Sequence, residues 1–226
     1  MAELKVKRLL LLNGSPRKQG TSSSFARTIT ALAAEAGCAT EIEHAYDYYD
    51  GRRSLGALRE LIAGADLIGV VAPLYFDTLP GAVVWLFEQL FREMRTELEG
   101  KALFAVGQGA YPFAALMQPL IGSCRCFAEA TGMQWLGGLG YGGGVLLDGA
   151  RLEDIGAKGR RIIKAFRLAL NDLLARRMIS PEPQEQLLVR IPKFLFRPLT
   201  ALLNYRVRSL ARRHGVPDLG GQVYLQ

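Results

Sequence analysis

Residues 9–24 read Leu-Leu-Leu-Leu-Asn-Gly-Ser-Pro-Arg-Lys-Gln-Gly-Thr-Ser-Ser-Ser and join a buried strand to a polar turn. The apolar run has the length of one strand and ends at Asn13-Gly14. A loop rich in Gly, Ser and Thr follows it, and an amphipathic helix begins near Ser22. Because the first turn of a helix carries unpaired N–H groups and a partial positive charge, it favours an anion.

Hydroxyls and cations cluster at this helix start, and they have the chemistry that a phosphate monoester requires. They belong to Ser15, Arg17, Lys18, Thr21, Ser22 and Ser23. The alternative is an ordinary strand-to-helix turn in which Ser and Thr act only as N-caps. We favour phosphate binding because Asn-Gly, Arg17 and a run of hydroxyl residues occur together. Neither G-x-G-x-x-G nor G-x-x-x-x-G-K-[ST] follows this strand, so it carries no dinucleotide fingerprint.

Composition indicates one globular domain with an extension, which we divide into residues 1–180 and 181–226. Half of the 226 residues are apolar, yet no apolar run reaches transmembrane length. The chain enters its first strand directly, which leaves no room for a signal peptide. Cys38, Cys124 and Cys126 are too few for a disulfide framework and indicate a reducing compartment. We therefore expect a cytoplasmic protein.

Strand and helix patterns alternate along the first 177 residues. Strands are predicted over residues 7–12, 40–45, 67–72, 102–106 and 134–139. Helices are predicted over residues 22–36, 55–64 and 80–94, in a segment ending near 131, and over 152–177. Such alternation predicts a parallel sheet with helices on both faces and right-handed crossovers. Ligands of these sheets bind beyond the carboxyl ends of the strands, where the strand order reverses.

Three loops lie at that edge of the predicted sheet. The first is the phosphate loop, and the second places Tyr75 and Phe76 between Pro73 and Pro80. The third is Gly107-Gln108-Gly109-Ala110-Tyr111, whose glycines permit close approach to a flat ligand. A phosphate site beside aromatic and glycine-lined walls predicts a phosphorylated planar heterocycle as the ligand.

Two motifs, Asn-Gly-Ser-Pro-Arg with Gly-Thr-Ser-Ser and Ala-Pro-Leu-Tyr-Phe-Asp-Thr-Leu-Pro, resemble those of the flavodoxin-like NAD(P)H-dependent FMN reductases. That family includes quinone reductases and azoreductases, and the resemblance covers about residues 7–175. It implies an α/β, doubly wound, five-stranded parallel sheet of order 2-1-3-4-5, followed here by a C-terminal helical extension. The FMN phosphate would be held by Ser15, Arg17, Thr21, Ser22 and Ser23. The isoalloxazine would be lined by Pro73, Leu74, Tyr75, Phe76 and Asp77, with Gln108, Gly109 and Tyr111 on its other side.

The resemblance also implies the activity. Hydride would pass from NAD(P)H to the flavin and electrons then to a flavin, a quinone or a similar small acceptor, with ping-pong kinetics. No side chain is expected to act as a catalytic acid or base. Tyr75 is interpreted as an aromatic wall, the alternative being a donor to a quinone oxygen. The other candidate function is an FMN-binding electron carrier that serves a protein partner, which the lack of strong negative charge disfavours.

Several positions depart from the family pattern. Thr21 stands where the family often has Asn, which keeps a polar group there. Val84 and Glu88-Gln89 stand where many members carry a Lys and then Asp-Arg. Since the family's dimer contacts often involve that helix, the departure bears on the geometry of the homodimer or higher homo-oligomer that we expect.

Other patterns are interpreted as structural. Gly138 to Gly143 satisfies G-x-G-x-x-G but opens no helix, so it is predicted to be a glycine-rich strand end. Cys124 and Cys126 have no second cysteine pair or nearby histidine that could complete a metal site. We expect no bound metal.

The C-terminal segment is basic and amphipathic. Residues 1–184 carry a net charge of +2 and residues 185–226 a net charge of +5. Apolar residues recur at helical spacing, with a second helix predicted over 198–213; they are Leu187, Leu188, Ile191, Phe194, Leu195, Leu199, Leu202, Leu203, Val207 and Leu210. Packing on the body or across a dimer is favoured, and peripheral contact with an anionic membrane is the alternative. No nucleic-acid partner is expected, because aromatic residues are not interleaved with the charges.

Overall fold

The computed structural model describes residues 6–189 and 192–216, and it contains one five-stranded parallel sheet. The order of the strands is β2-β1-β3-β4-β5, as the family resemblance implied. Their bounds are Arg8–Asn13 for β1, Ala39–His44 for β2, Leu67–Pro73 for β3, Ala102–Gly109 for β4 and Gln134–Gly142 for β5. The strand order reverses between β1 and β3, so their carboxyl ends flank the crevice where ligands of such sheets bind.

Helices cover both faces of this sheet. They are α1 Thr21–Glu35, α2 Ala45–Tyr49, α3 Leu55–Gly64, α4 Gly81–Glu93, α5 Arg95–Leu98, α6 Gln118–Thr131, α7 Gly156–Leu174, α8 Pro181–Leu187 and α9 Phe196–Arg213. Alternate leucines of β1 point to opposite faces, as the pleat requires. Leu9 and Leu11 pack with α1 and α7, whereas Leu10 and Leu12 pack with α2, α3, α4 and α6. The central strands are therefore apolar on both sides.

The ends of β4 and β5 differ from the prediction. The sequence predicted strand ends at residues 106 and 139, but the ladder continues through Gln108↔Tyr141 to Gly109↔Gly142. The glycine-rich segment 138–143 thus ends a strand, as interpreted. Glycine has no side chain and so does not contribute to a hydrophobic pattern, although its backbone pairs normally in a sheet. The pattern therefore placed the ends of β4 and β5 too early in the chain.

The last helix of the body also differs from the prediction of residues 152–177. Leu152–Ile155 forms a short 3-10 turn, and α7 begins only at Gly156, whose φ of 62° breaks the helical path. The helix ends at Leu174, and Arg176 adopts a φ of 54°. The helical spacing of apolar residues continues through Gly156 and Arg176, and the predicted helix was therefore too long at both ends.

Residues 177–189 pack on the outer edge of β5. Ile179 N–H donates to the Leu136 carbonyl at 2.8 Å. The Gln184 side chain accepts from the Gly140 N–H at 2.8 Å and donates to the Gly140 carbonyl at 3.0 Å. An unpaired strand edge is thereby closed. We expected the extension to begin at residue 181, but these contacts keep residues up to Val189 in the first compact unit.

The described residues from Pro192 onward belong to a second unit, whose main element is α9. This helix begins at Phe196 rather than at the predicted Pro198, because proline is tolerated in a first helical turn. Residues 190–191 and 217–226 of the predicted C-terminal extension lie outside the described residues. Among the helices that the structure describes, none is both long and apolar enough to cross a membrane.

Candidate functional site

The loop between β1 and α1 is held by its own polar groups. Gly14 N–H donates to the Val71 carbonyl of β3 at 2.9 Å. Ser15 N–H donates to Asn13 Oδ1 at 2.9 Å, and Arg17 N–H donates to Ser15 Oγ at 3.2 Å. Gly20 is the N-cap of α1 and brings no side-chain cap. The first N–H groups of α1 are therefore left for a ligand or for water.

Three hydroxyls at the start of α1 are already committed as donors. Thr21 Oγ1 donates to the Gly144 carbonyl at 2.7 Å, and Ser24 Oγ donates to the Ala150 carbonyl at 2.6 Å. Ser23 Oγ accepts from Asn13 Nδ2 at 2.8 Å and donates to the Arg17 carbonyl at 3.3 Å. A hydroxyl has one proton to donate. Thr21 and Ser24 thus fasten the loop after β5 to α1, and Ser23 closes the loop after β1.

Two other hydroxyls keep their protons for a different acceptor. Ser15 Oγ accepts the Arg17 N–H and lines the open cleft. Ser22 Oγ accepts from Gln108 Nε2 at 3.3 Å, but its side chain is fully buried beneath the cleft. Ser15, the Arg17 guanidinium and the first N–H groups of α1 are therefore the donors that an anion can reach at this position.

The loop after β3 contains a tight two-residue turn. Tyr75 and Thr78 exchange two backbone hydrogen bonds of 3.1 Å each. The residues between them, Phe76 and Asp77, adopt φ values of 48° and 59°. Positive φ at both central positions characterises a type I′ turn, and it is unfavourable for a bulky residue. Phe76 is fully exposed at the tip, whereas Tyr75 is 41% exposed and faces the cleft.

The ends of β4 and β5 form the opposite wall. Leu74 N–H donates to the Gln108 carbonyl at 2.8 Å, which joins the second loop to the third. Gly143 N–H donates to the Tyr111 carbonyl at 2.8 Å, which joins the third loop to the segment after β5. Gly144 lies so close to the Gln108 side chain that a Cβ on it would collide with Oε1. The wall is thus fixed by backbone contacts.

These loops enclose a cleft of about 250 Å³. Eight of the thirteen predicted site residues line it, namely Ser15, Arg17, Thr21, Pro73, Leu74, Tyr75, Gln108 and Gly109. The structure places the other five away from its surface. Ser22 and Ser23 are buried beneath it, Phe76 and Asp77 form the exposed turn, and Tyr111 is 70% exposed on the third loop.

Four lining residues were not predicted: Gly20, Ala110, Val145 and Asp148. Gly20 and Ala110 lie in the first and third loops, beside residues that were predicted to bind the ligand. Val145 and Asp148 follow β5, and the glycines at 142–144 and 149 were the only signal that this segment approaches other backbone closely. Asp148 is the important omission, because its carboxylate pairs with the Arg17 guanidinium at 3.0 Å.

A second, more apolar depression of about 700 Å³ shares Tyr75 with the cleft. Its lining includes Tyr49, Phe76, Val84 and Trp85. The rings of Tyr49 and Trp85 meet edge to face at 5.6 Å, which fixes this surface. The departure at Val84 from the charged family pattern therefore places an apolar side chain beside the cleft.

A charged group adjoins the phosphate loop on the side of β2. Lys18 Nζ donates to Asp47 Oδ2 at 2.8 Å, and Arg52 lies 3.2 Å from the other carboxylate oxygen. Although burial raises the pKa of Asp47, these cations outweigh it and lower that pKa overall. Burial, and then the charge of Lys18, lower the pKa of His44. Lys18 is thus engaged by a carboxylate.

The described residues contain no group of His, Cys, Asp and Glu that could hold a metal ion. The cleft instead offers donors for an anion at one end and an apolar aromatic surface at the other. That combination fits FMN, whose phosphate would meet Ser15, Arg17 and α1, and whose ring system requires a flat, largely apolar wall. The cleft lies just below the usual range for ligand pockets of roughly 300–1,000 Å³, and the depression beside Tyr75 extends it.

Comparison with known proteins also indicates FMN as the cofactor. A family model described as NADPH-dependent FMN reductase matches residues 7–125. A search of curated proteins finds no match.

Three solved structures share the fold. General stress protein 14 from Treponema denticola, in complex with FMN, is 17% identical, with a TM-score of 0.50 over 74% of this chain and 99% of that protein. NAD(P)H:quinone oxidoreductase from Methanothermobacter marburgensis is 16% identical, with a TM-score of 0.53 over 75% and 96%. Trp repressor binding protein from Bacillus subtilis is 14% identical, with a TM-score of 0.51 over 70% and 95%.

Proposed function

The chain belongs to the NADPH-dependent FMN reductase family, and from that premise we propose that it reduces a flavin, a quinone or a similar small acceptor by a ping-pong mechanism. Membership makes it an oxidoreductase that uses FMN with NAD(P)H as co-substrate. When bound, FMN supplies the redox chemistry, accepting a hydride and releasing electrons to the acceptor. The protein supplies binding, orientation and access.

The phosphate end is the best-defined part of the proposed site. Ser15, Arg17 and the first residues of α1, whose N-cap Gly20 brings no side-chain cap, all line the cleft. A phosphate monoester carries a charge of about −1.5 to −2 at neutral pH. Charge-assisted donors and a helix N-terminus are therefore its natural partners. This convergence of donors at the β1–β3 switch point is the observation that carries the proposal.

The other predicted contacts orient the ring system. Pro73, Leu74 and Tyr75 form one wall, and Gln108 with Gly109 forms another. Ser22 holds the Gln108 amide from below, and Gly144 confines it from the side. Thr21 and Ser23 act through the backbone carbonyls that they hold, and Ser22 acts through the Gln108 side chain. We propose Tyr75 as an aromatic wall. Phe76, Asp77 and Tyr111 stand at the rim, where a second substrate would pass.

The alternative function is that of an FMN-binding carrier for a protein partner. The apolar depression lined by Tyr49, Val84 and Trp85 favours the reductase, because a flat organic acceptor can contact it beside Tyr75. The net charge of +2 over residues 1–184 also differs from the strongly acidic character of small carriers. Both nicotinamide and acceptor would enter the same cleft, so we expect them to bind in turn.

Anaerobic stopped-flow mixing of the FMN-loaded protein with NADH or NADPH tests the proposal. Rapid bleaching of the bound flavin, followed by reoxidation on addition of a quinone, is the expected result. Flavin that stays oxidised with both nucleotides, yet is reduced by a protein donor, would establish the carrier. Steady-state rates with varied NADPH and quinone should give parallel double-reciprocal lines, and intersecting lines would contradict the ping-pong mechanism.

Two further properties belong to the proposal. We propose a cytoplasmic location because Cys38, Cys124 and Cys126 are all free thiols. We also propose a homodimer or higher homo-oligomer, which light scattering after gel filtration measures directly. A molar mass equal to that of the 24.8 kDa chain would refute the oligomer.

A further inference from the structure

Helix α9 has an unusual distribution of charge. Within Phe196–Arg213 it carries five arginines, at positions 197, 206, 208, 212 and 213, and no acidic residue. The preceding and following described residues, from Pro192 to Val216, add no acidic side chain either. Nothing on this helix therefore neutralises its positive charge.

Three exposed apolar side chains of α9, those of Phe196, Val207 and Leu210, form a stripe along one face. Val207 and Leu210 follow Phe196 by eleven and fourteen residues, which are close to three and four whole turns. Phe196 is 37% exposed, and Val207 and Leu210 are 54% and 58% exposed. A stripe of this kind on a regular helix requires a cover.

Arginines lie on both sides of the stripe. At 3.6 residues per turn, Arg206 and Arg213 fall on one flank, and Arg197 and Arg208 fall on the other. An arginine in this position can rest its aliphatic part on an apolar surface while its guanidinium reaches outward. This is the arrangement of helices that lie in the plane of a lipid–water interface.

We propose that α9 docks the protein on an anionic lipid surface, with its apolar stripe among the acyl chains and its arginines at the headgroups. Charge complementarity selects this occupant. A second copy of α9 would bring its own flanking arginines against these, and neither copy has a carboxylate to pair them. A lipid surface supplies both the apolar cover and the negative charge.

The proposal is independent of the reductase function. It concerns a peripheral contact, in agreement with the finding that no described helix could cross a membrane. Its chemical requirement is an anionic headgroup together with an accessible acyl region. Free phosphate or a nucleic acid would satisfy the charge and leave the apolar stripe uncovered.

Co-sedimentation of the full-length protein with vesicles tests it. The protein should bind vesicles of mixed phosphatidylglycerol and phosphatidylcholine and not those of phosphatidylcholine alone, and added salt should weaken the binding. Arg206→Gln should lower the partition coefficient roughly fivefold, and so should Arg208→Gln. The double variant Val207→Gln, Leu210→Gln should lower it by at least about tenfold. Glutamine keeps the helix propensity high in each case.

The matched control is the double variant Ala201→Gln, Ser209→Gln, which places the same side chain on the face opposite the stripe. It should bind as the unmodified protein does. Circular dichroism verifies that every variant is folded. Equal binding to neutral and anionic vesicles, or full binding after the Val207 and Leu210 substitutions, would overturn the proposal. So would a shift of the Val207→Gln, Leu210→Gln protein to a smaller oligomer, since the stripe would then cover another copy of the chain.

Discussion

The Arg17 guanidinium lies 3.0 Å from the Asp148 carboxylate, and this pair joins the loop after β1 to the loop after β5 across the mouth of the cleft. Both side chains are largely exposed, at 67% and 75%. An exposed ion pair contributes little to stability. Its importance is that the guanidinium expected to bind the FMN phosphate already has an acidic partner, so that the carboxylate and the phosphate compete.

Asp148→Asn is therefore expected to tighten FMN binding. The substitution removes the competing charge and also the repulsion between a carboxylate and a phosphate dianion. Because the pair is exposed, we expect a gain of about two- to fivefold at low ionic strength, decreasing with salt. Titration of FMN fluorescence against protein measures it. Asp154→Asn, a loss of the same charge at a nearby exposed position, should leave the affinity unchanged; weaker binding by Asp148→Asn would mean that Asp148 supports the site.

Phe76→Gly tests the strain in the turn after β3. Phe76 has a φ of 48° and is fully exposed, so it gains no burial that could offset the conformation. A left-handed conformation costs an L-residue about 1–2 kcal/mol, and glycine avoids it at an entropic cost of about 0.5–1 kcal/mol. The free energy of unfolding, measured by urea denaturation, should stay constant or rise by up to about 1.5 kcal/mol.

The control for this substitution is Phe113→Gly. Phe113 is also an exposed phenylalanine near the cleft, but its φ is −104°. With no strain to relieve, that change should destabilise the protein by about 0.5–1 kcal/mol. Equal losses at both positions would show that the Phe76 turn stores no strain.

His44 makes the free energy of unfolding depend on pH. Burial and Lys18 lower its pKa below the ordinary 6.5, so the unfolded chain binds a proton more readily than the folded one. This contribution to folding is present above pH 6.5 and is lost as the pH falls below it. Urea denaturation between about pH 8 and about pH 5 should give a shallower decline for His44→Asn than for the unmodified protein. Parallel declines would contradict the assignment.

Gln184→Ala should destabilise the first unit by about 1–3 kcal/mol, because it leaves both backbone groups of Gly140 without their partner. It should also expose the edge of β5 and promote aggregation. Gln186→Ala removes an identical side chain from the same helix without touching Gly140 and serves as the control. Indistinguishable unfolding free energies for the two variants would rule out edge protection by Gln184.

The sequence predicted the sheet well because its signals are local. The leucines of β1 and the Asn13-Gly14 turn mark a strand and its end, and Pro73 likewise marks the end of β3. The predicted element boundaries are wrong where the hydrophobic pattern carries no information about backbone geometry. Gly156 interrupts an apolar periodicity that continues through it, and the glycines of β4 and β5 extend strands without any pattern.

Eight of the thirteen residues predicted for the site line the cleft, but the hydrogen bonds that hold the loops were not predicted. The cluster of hydroxyl residues near α1 predicted that they bind phosphate. The Thr21 hydroxyl instead donates to the carbonyl of Gly144, 123 positions along the chain. Asp148 lies 131 positions from Arg17. The fold determines which distant carbonyl or carboxylate comes within hydrogen-bonding distance. The acceptor of each hydroxyl proton therefore does not follow from the local sequence pattern.

The central claim is that the turn leaving β1 binds the phosphate of FMN, and parallel titration with FMN and riboflavin tests it most directly. Riboflavin has the same ring system and lacks the phosphate. The account predicts that FMN binds far more tightly than riboflavin, and that Arg17→Ala weakens FMN by about 10–100-fold while leaving riboflavin unchanged. Equal affinities for the two flavins, or an Arg17→Ala protein that binds FMN as before, would contradict it.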